Sequence, residues 1–203
     1  LEAAKKTIDA EKYEGAKKML KGLVATNPAN GKATFLLGTV YLKQNIEDSA
    51  KIYFQKGLAA KDGGRLNSIG LGQIDLNNKD VASAQANFAQ ATKDLKKKDF
   101  EELLYVGKAY TNATTPDYKK ALEYLNKAKA ISPMDAQVQL ALGDAYYGDK
   151  NQNEAYAAYR NAYAADASLI RAKMQLGVLL KGAKAYTKAI EAFDEVVKTN
   201  ATY

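Results

Sequence analysis

The 203-residue chain has no histidine, no cysteine and no tryptophan. Without them it lacks imidazole and thiolate nucleophiles, His or Cys metal ligands, disulfides and thiol redox chemistry. Arginine is almost as scarce: Arg65, Arg160 and Arg171 are the only three among 30 basic side chains. A net charge of +7 suits an anionic partner. The planar guanidinium fork that reads phosphates and guanine edges is nearly missing, however, so nucleic acid is not expected. The one lysine run, Lys96-Lys97-Lys98, is bracketed by Asp94 and Asp99 and reads as a solvated helix end. No run of eighteen apolar residues is present, and direct membrane insertion is not expected. The lack of cysteine suits a bacterial periplasm or another extracytoplasmic space, and a start at Leu1 rather than Met reads as a processed or trimmed product. The Asn112-Ala113-Thr114 and Asn200-Ala201-Thr202 triplets match the glycosylation pattern at a frequency that chance supplies.

What the chain does have is alanine, 36 of them, small side chains suited to close helix packing. They recur in register. Ala16, Ala50, Ala84, Ala121, Ala155 and Ala189 are spaced 34, 34, 37, 34 and 34 residues apart. Upstream of them stand Ala4, Gly38, Gly72, Gly107, Gly143 and Gly177; the larger offset at Gly107 belongs to an enlarged turn, Thr114-Thr115-Pro116-Asp117. Four residues after each alanine comes a large side chain: Leu20, Phe54, Phe88, Leu125, Tyr159, Phe193. Three further on stand Leu23, Gly57, Ala91, Ala128, Ala162 and Val196. Self-similarity at such a period marks a repeat architecture.

Within each unit apolar residues fall at helical spacing in two stretches separated by polar turn residues, such as Gln44-Asn45 and Asn77-Asn78, so each unit is expected to be a helical hairpin. A glycine inside a helix costs about 1 kcal/mol relative to alanine. The expected offset is backbone approach. Glycine on the first helix and alanine on the second bring the two together, and the large side chain fills the gap to the neighbouring hairpin. On this register Ala155 faces its partner helix and Ala158 the outer face.

Other patterns fail on chemistry. Gly177 to Lys184 has phosphate-loop glycine spacing but lacks the Lys-Ser/Thr pair and a preceding strand. Asp149, Asn151 and Asn153 imitate a calcium loop without its turn glycine or its bidentate Glu. Glu101-Glu102 and Glu191 with Asp194 and Glu195 sit on amphipathic stretches, where solvated faces are the expectation. No catalytic residue, metal site or cofactor is expected, and the chain is not read as an enzyme.

The pattern Leu37-Gly38-x-x-Tyr41 followed by Ala50-x-x-x-Phe54, repeated at Leu142-Gly143-x-x-Tyr146 and Ala155-x-x-x-Tyr159 with Pro133, resembles the tetratricopeptide repeat. The family's early Trp is replaced by Thr34 and Ser68. The resemblance implies an all-α, right-handed α-solenoid filling the chain as one array, with a partial repeat at 1–30 and repeats at 31–64, 65–99, 100–135, 136–169 and 170–203. It also implies a non-catalytic interaction scaffold whose first helices line a concave groove for a partner peptide or helix. The alternative is a repeat region of a longer multidomain or membrane-attached protein whose activity lies elsewhere. The groove positions are Phe35 and Thr39, Ile69 and Gln73, Leu104 and Lys108, Leu140 and Asp144, and Met174 and Val178. Beside them lie Lys43, Asn77, Asn112, Tyr147 and Lys181. The row from Phe35 to Met174 is wholly apolar, which speaks against a carboxylate-gripping chaperone clamp. It is either buried between adjacent first helices or an apolar trough flanked by amide and lysine donors for a segment with hydrophobic anchors and acidic flanks. Both ends of the array look open, and exposure of Phe193, Val196 and Val197 is expected to favour self-association.

Overall fold

The computed structural model describes residues 1–199, so the Asn200-Ala201-Thr202 triplet and the end of the last repeat fall outside the described residues. Within them the chain forms twelve helices and no strand. In order these are α1 Glu2–Asp9, α2 Tyr13–Thr26, α3 Gly31–Lys43, α4 Glu47–Gly57, α5 Gly64–Asn77 and α6 Val81–Thr92, then α7 Glu101–Asn112, α8 Tyr118–Ile131, α9 Ala136–Gly148, α10 Gln152–Ala165, α11 Ile170–Gly182 and α12 Tyr186–Thr199. Each odd-numbered helix packs on the even-numbered helix after it, and α3, α5, α7 and α9 also pack side by side as an inner layer. The product is an all-α helical repeat solenoid.

Local chemistry sets where these helices begin. Asn30, Asp80, Asp117 and Asp135 precede α3, α6, α8 and α9, and each side chain accepts the backbone N–H three residues on, satisfying a donor that the first turn leaves unpaired. The turns inside five of the six hairpins share one geometry. Glu11, Asn45, Lys79, Lys150 and Lys184 adopt φ between 56° and 64°. At Asn45 the backbone N–H donates to Leu42 O and the next N–H, of Ile46, to Tyr41 O. The same pair of bonds closes α1, α5, α9 and α11. This is a left-handed helix stop of the Schellman type, usually built on glycine. Only the enlarged fourth turn, Thr114 to Asp117, departs from it.

The column glycines have a different cause from backbone approach to an alanine. A Cβ on Gly38 would stand 2.4 Å from the Phe54 ring, one on Gly72 2.5 Å from Phe88, one on Gly143 2.5 Å from Tyr159 and one on Gly107 2.5 Å from Leu125. The large residue lies across the glycine of its own hairpin. Phe54 also reaches the next unit, since a Cβ on Gly70 would be 2.4 Å away. Each glycine thus admits a large side chain that is fully buried, worth about 1.5–3 kcal/mol and enough to offset the glycine penalty.

Two placements differ from the sequence reading. Ala158 is buried, not outward, because it shares a core cluster with Leu125, Ala128 and Val138 of the preceding elements. At the last hairpin Val196 is buried, being the counterpart of inward Ala128 and Ala162, whereas Val197, Ile190 and Tyr186 are exposed on α12. Phe193 is half-buried over Gly177.

Candidate functional site

The inner helices curl around a concavity of about 1450 Å³ lined from α1 through to the first turn of α11. Eleven of the sequence-derived groove residues line it: Phe35, Thr39, Lys43, Ile69, Gln73, Asn77, Leu104, Lys108, Asn112, Leu140 and Asp144. Tyr147, Met174, Val178 and Lys181 do not. The lining stops at Arg171, so the later turns of α11 lie beyond it, and Tyr147 is exposed elsewhere.

The apolar row is a seam. Phe35, Ile69, Leu104 and Leu140 are each no more than 4% exposed, because α3, α5, α7 and α9 press together along it. Met174, on α11, is half-buried. Side chains the sequence reading did not single out close the floor further. Tyr105 of α7 meets Phe35 of α3 edge to face with ring centroids 4.6 Å apart, spanning from the second hairpin to the fourth. Burial, then the nearby Glu101, pushes the Tyr105 hydroxyl well above its usual range, so it stays neutral. The groove surface that remains is mixed, polar and apolar in nearly equal parts.

Polar bridges tie hairpins that are distant in the chain. Glu101 of α7 accepts from Lys5 of α1 at 3.5 Å and from Lys32 of α3 at 2.6 Å. Gln137 of α9 donates to Asp9 at 2.7 Å. Arg171 donates to Asp144 at 2.7 Å and lies 3.8 Å from Glu11. Asp144 also accepts from the Tyr159 hydroxyl at 2.8 Å. Burial opposes the Arg171 charge, but Asp144, Tyr159 and Glu11 outweigh it and hold the guanidinium firmly protonated. In this way the first hairpin reaches across the concavity to the fourth, fifth and sixth.

Two cations stand apart from that web. Lys43 donates to Asn112 Oδ1 at 2.8 Å, and Asn112 in turn donates to the Lys108 carbonyl one turn back at 2.7 Å. Lys108 lies over the Tyr105 ring, 5.4 Å from its centroid. Among the described residues neither ammonium pairs with a carboxylate. Removal from bulk water, reinforced by Lys108 and Arg171, pulls Lys43 down to about 8. Burial also lowers Lys108. Lys43 is exposed to solvent, so its low value reflects the surrounding protein walls rather than direct coverage.

The sequence and the geometry agree with what the chain is similar to. A family model described as tetratricopeptide repeat matches residues 1–65. Over 119 residues the chain is 27% identical to Tetratricopeptide repeat protein 1 of Schizosaccharomyces pombe, covering 57% of this chain and 11% of that protein. It is 29% identical over 143 residues to Anaphase-promoting complex subunit 3 of the same organism, covering 70% of this chain and 21% of that protein. The chain therefore spans only about a tenth to a fifth of these relatives. Among solved structures, YrrB, described as a TPR protein with an unusual peptide-binding site, superposes over 90% of this chain and 92% of its own with a TM-score of 0.54 at 16% identity. With its paired helices and its recurrent small residues under large ones, this chain is similar to tetratricopeptide-repeat proteins in sequence over its first 65 residues and in fold along most of its length.

Proposed function

We propose that this chain is a non-catalytic interaction module that holds an extended segment of a partner protein in its concave groove. The observation that carries this reading is the gathering of eleven inward positions from four successive inner helices around one elongated concavity. A concave groove lined by amide, lysine and carboxylate side chains suits main-chain and side-chain recognition of a peptide. The contact between Phe35 and Tyr105 favours an extended segment over a helix, because a helix with its side chains is about 10–12 Å across and needs an open floor. The peptide-binding site of the similarly folded YrrB supports the same class of function.

A photo-cross-linking amino acid tests it. Placed at Gln73, which lines the groove, it should form adducts with a bound peptide; placed at Gln85, exposed on α6, it should not. Adducts from Gln85 alone would overturn the reading. Leu104 is a poor probe of binding, because truncating so buried a leucine costs about 2–5 kcal/mol of stability on its own.

A further inference from the structure

The first helix is held unlike the inner helix that follows it. Where α3 packs on α2, α4 and α5, α1 packs closely on α2 alone. Of its eight residues only Ala4 is buried, and its N-terminus has no side-chain cap. In α3, by contrast, nine of thirteen residues are buried. A helix as short as α1 is marginal in water, so its place depends on what else it touches.

The rest of its hold is polar and lies across the concavity. Lys5 reaches Glu101 of α7, Asp9 accepts from Gln137 of α9, and Glu11, in the turn after α1, lies near Arg171 of α11. Glu101, Gln137 and Arg171 share one register position, six residues before Gly107, Gly143 and Gly177, in the first turn of their helices. They form a rim built by three successive hairpins, and α1 lies along it. The same turn approaches the far end of the coil, because Asp9, Ala10 and Lys12 border a small cavity with Ser168, Ile170 and Thr199. Lys5, Ile8, Asp9 and Glu11 also line the main concavity, so this helix and its turn are part of the groove wall. The ion pairs stay open to solvent: the side chains of Lys5, Glu101, Glu11 and Arg171 are 31, 28, 51 and 23% exposed. Such pairs are weak and screened by salt.

We infer that α1 is a latch: resting on the rim of α7, α9 and α11 it closes one side of the groove, and it lifts to let a partner segment enter. The inference rests on the groove reading above and adds how the groove is reached. Association is then limited by the fraction of molecules in which α1 is raised. A segment already inside is retained when α1 returns, so the latch slows binding and release alike. One buried alanine and a few solvent-exposed ties suit a part that moves; a helix buried as α3 is would expose too much apolar surface on lifting.

The chain has no cysteine, so the latch can be locked at a chosen place. In Asp9→Cys/Gln137→Cys the two thiols are bridged by a bis-maleimide with a reducible disulfide in its spacer. The probes are linear dodecapeptides selected from a random display library on the parent and on Glu11→Gln/Glu101→Gln, kept only where they photo-cross-link at Gln73. Locking should slow association of such a peptide by about tenfold or more, and reduction of the spacer should restore it. Glu11→Gln/Glu101→Gln should speed association and release together, and Asp9→Cys alone, treated with the same reagent, should bind like the unlocked protein. Unchanged helical circular dichroism shows that the locked form is still folded. The motion is read separately from spin labels on Lys6→Cys/Ser168→Cys, both exposed positions. Their separation should include a longer population that grows in about 1 M salt. A locked protein that captures the peptide as fast as the unlocked one, or a single label separation that salt does not change, would overturn the latch and leave the groove reading intact. No adduct at Gln73 on either protein would overturn the groove reading and the gating with it.

Discussion

At the scale of single residues, the same substitution has opposite effects at two glycines. In Gly38→Ala the new Cβ would meet the Phe54 ring at 2.4, 2.6 and 2.8 Å, and Phe54 is fully buried with no free direction to move. The ring must leave its position, at a cost of about 1–3 kcal/mol. Gly22 lies mid-helix in α2 with nothing within 4 Å of its would-be Cβ, so Gly22→Ala should stabilise by about 0.5–1 kcal/mol through helix propensity and a less free unfolded chain. Thermal or urea denaturation of both variants checks the pair; equal signs would refute the ring-on-glycine account. A second residue-scale expectation concerns Lys43, pulled down to about 8 from its ordinary 10.5. The unfolded chain holds this proton more tightly than the folded one, so the penalty is complete below pH 8 and fades as pH rises toward 10.5. Lys43→Met should therefore raise stability at pH 7, by about 1 kcal/mol after allowance for the solvent that still reaches the side chain. The gain should shrink by pH 10. A gain that did not change with pH would point to packing rather than charge.

At the scale of helices and turns, the sequence states the register well. A ring that must lie on a glycine leaves two coupled columns, and a helix pair whose strongest packing constraint is local writes that constraint at a fixed period. The turn geometry is far less legible. Of the five residues in the left-handed stop, only Asn45 has a side chain that favours it; Glu11, Lys79, Lys150 and Lys184 are held there by the two closing hydrogen bonds and by the helices on either side. These turns carry removable strain. Lys79 is exposed with φ 64°, and Lys79→Gly should stabilise by about 0.5–1 kcal/mol, since relief of the left-handed penalty exceeds the entropy that glycine adds to the unfolded chain. Lys79→Val should destabilise. If both variants melt alike, position 79 does not hold the conformation described. The burial of Ala158 is equally hard to read from the sequence, because one helix face meets both its own hairpin and the preceding one, and an alanine looks alike in either place.

At the scale of the whole molecule, what the sequence conceals is the tightness of the coil. The pattern says which residues look inward, yet not that α1 lies near enough to α7, α9 and α11 for Lys5, Asp9 and Glu11 to bridge them. Curvature accumulates from small rotations between neighbouring hairpins, each set by side chains such as Tyr105 that follow no column. These bridges have a separable role. Apart from the Phe35–Tyr105 contact, most core contacts lie between neighbouring helices, whereas Lys5–Glu101, Gln137–Asp9 and Arg171–Glu11 span several hairpins. Partly exposed ion pairs contribute about 0–1 kcal/mol each and are screened by salt. Glu11→Gln/Glu101→Gln, or about 1 M salt on the parent, should therefore let the coil open without melting it. Small-angle scattering should show the radius of gyration rise, while helical circular dichroism and the melting temperature stay nearly unchanged. A peptide held in the groove before the salt is added should oppose the rise, because it contacts walls that separate as the coil opens. An unchanged radius in the variant and in high salt would mean that hairpin packing alone sets the coil and that the bridges merely decorate it.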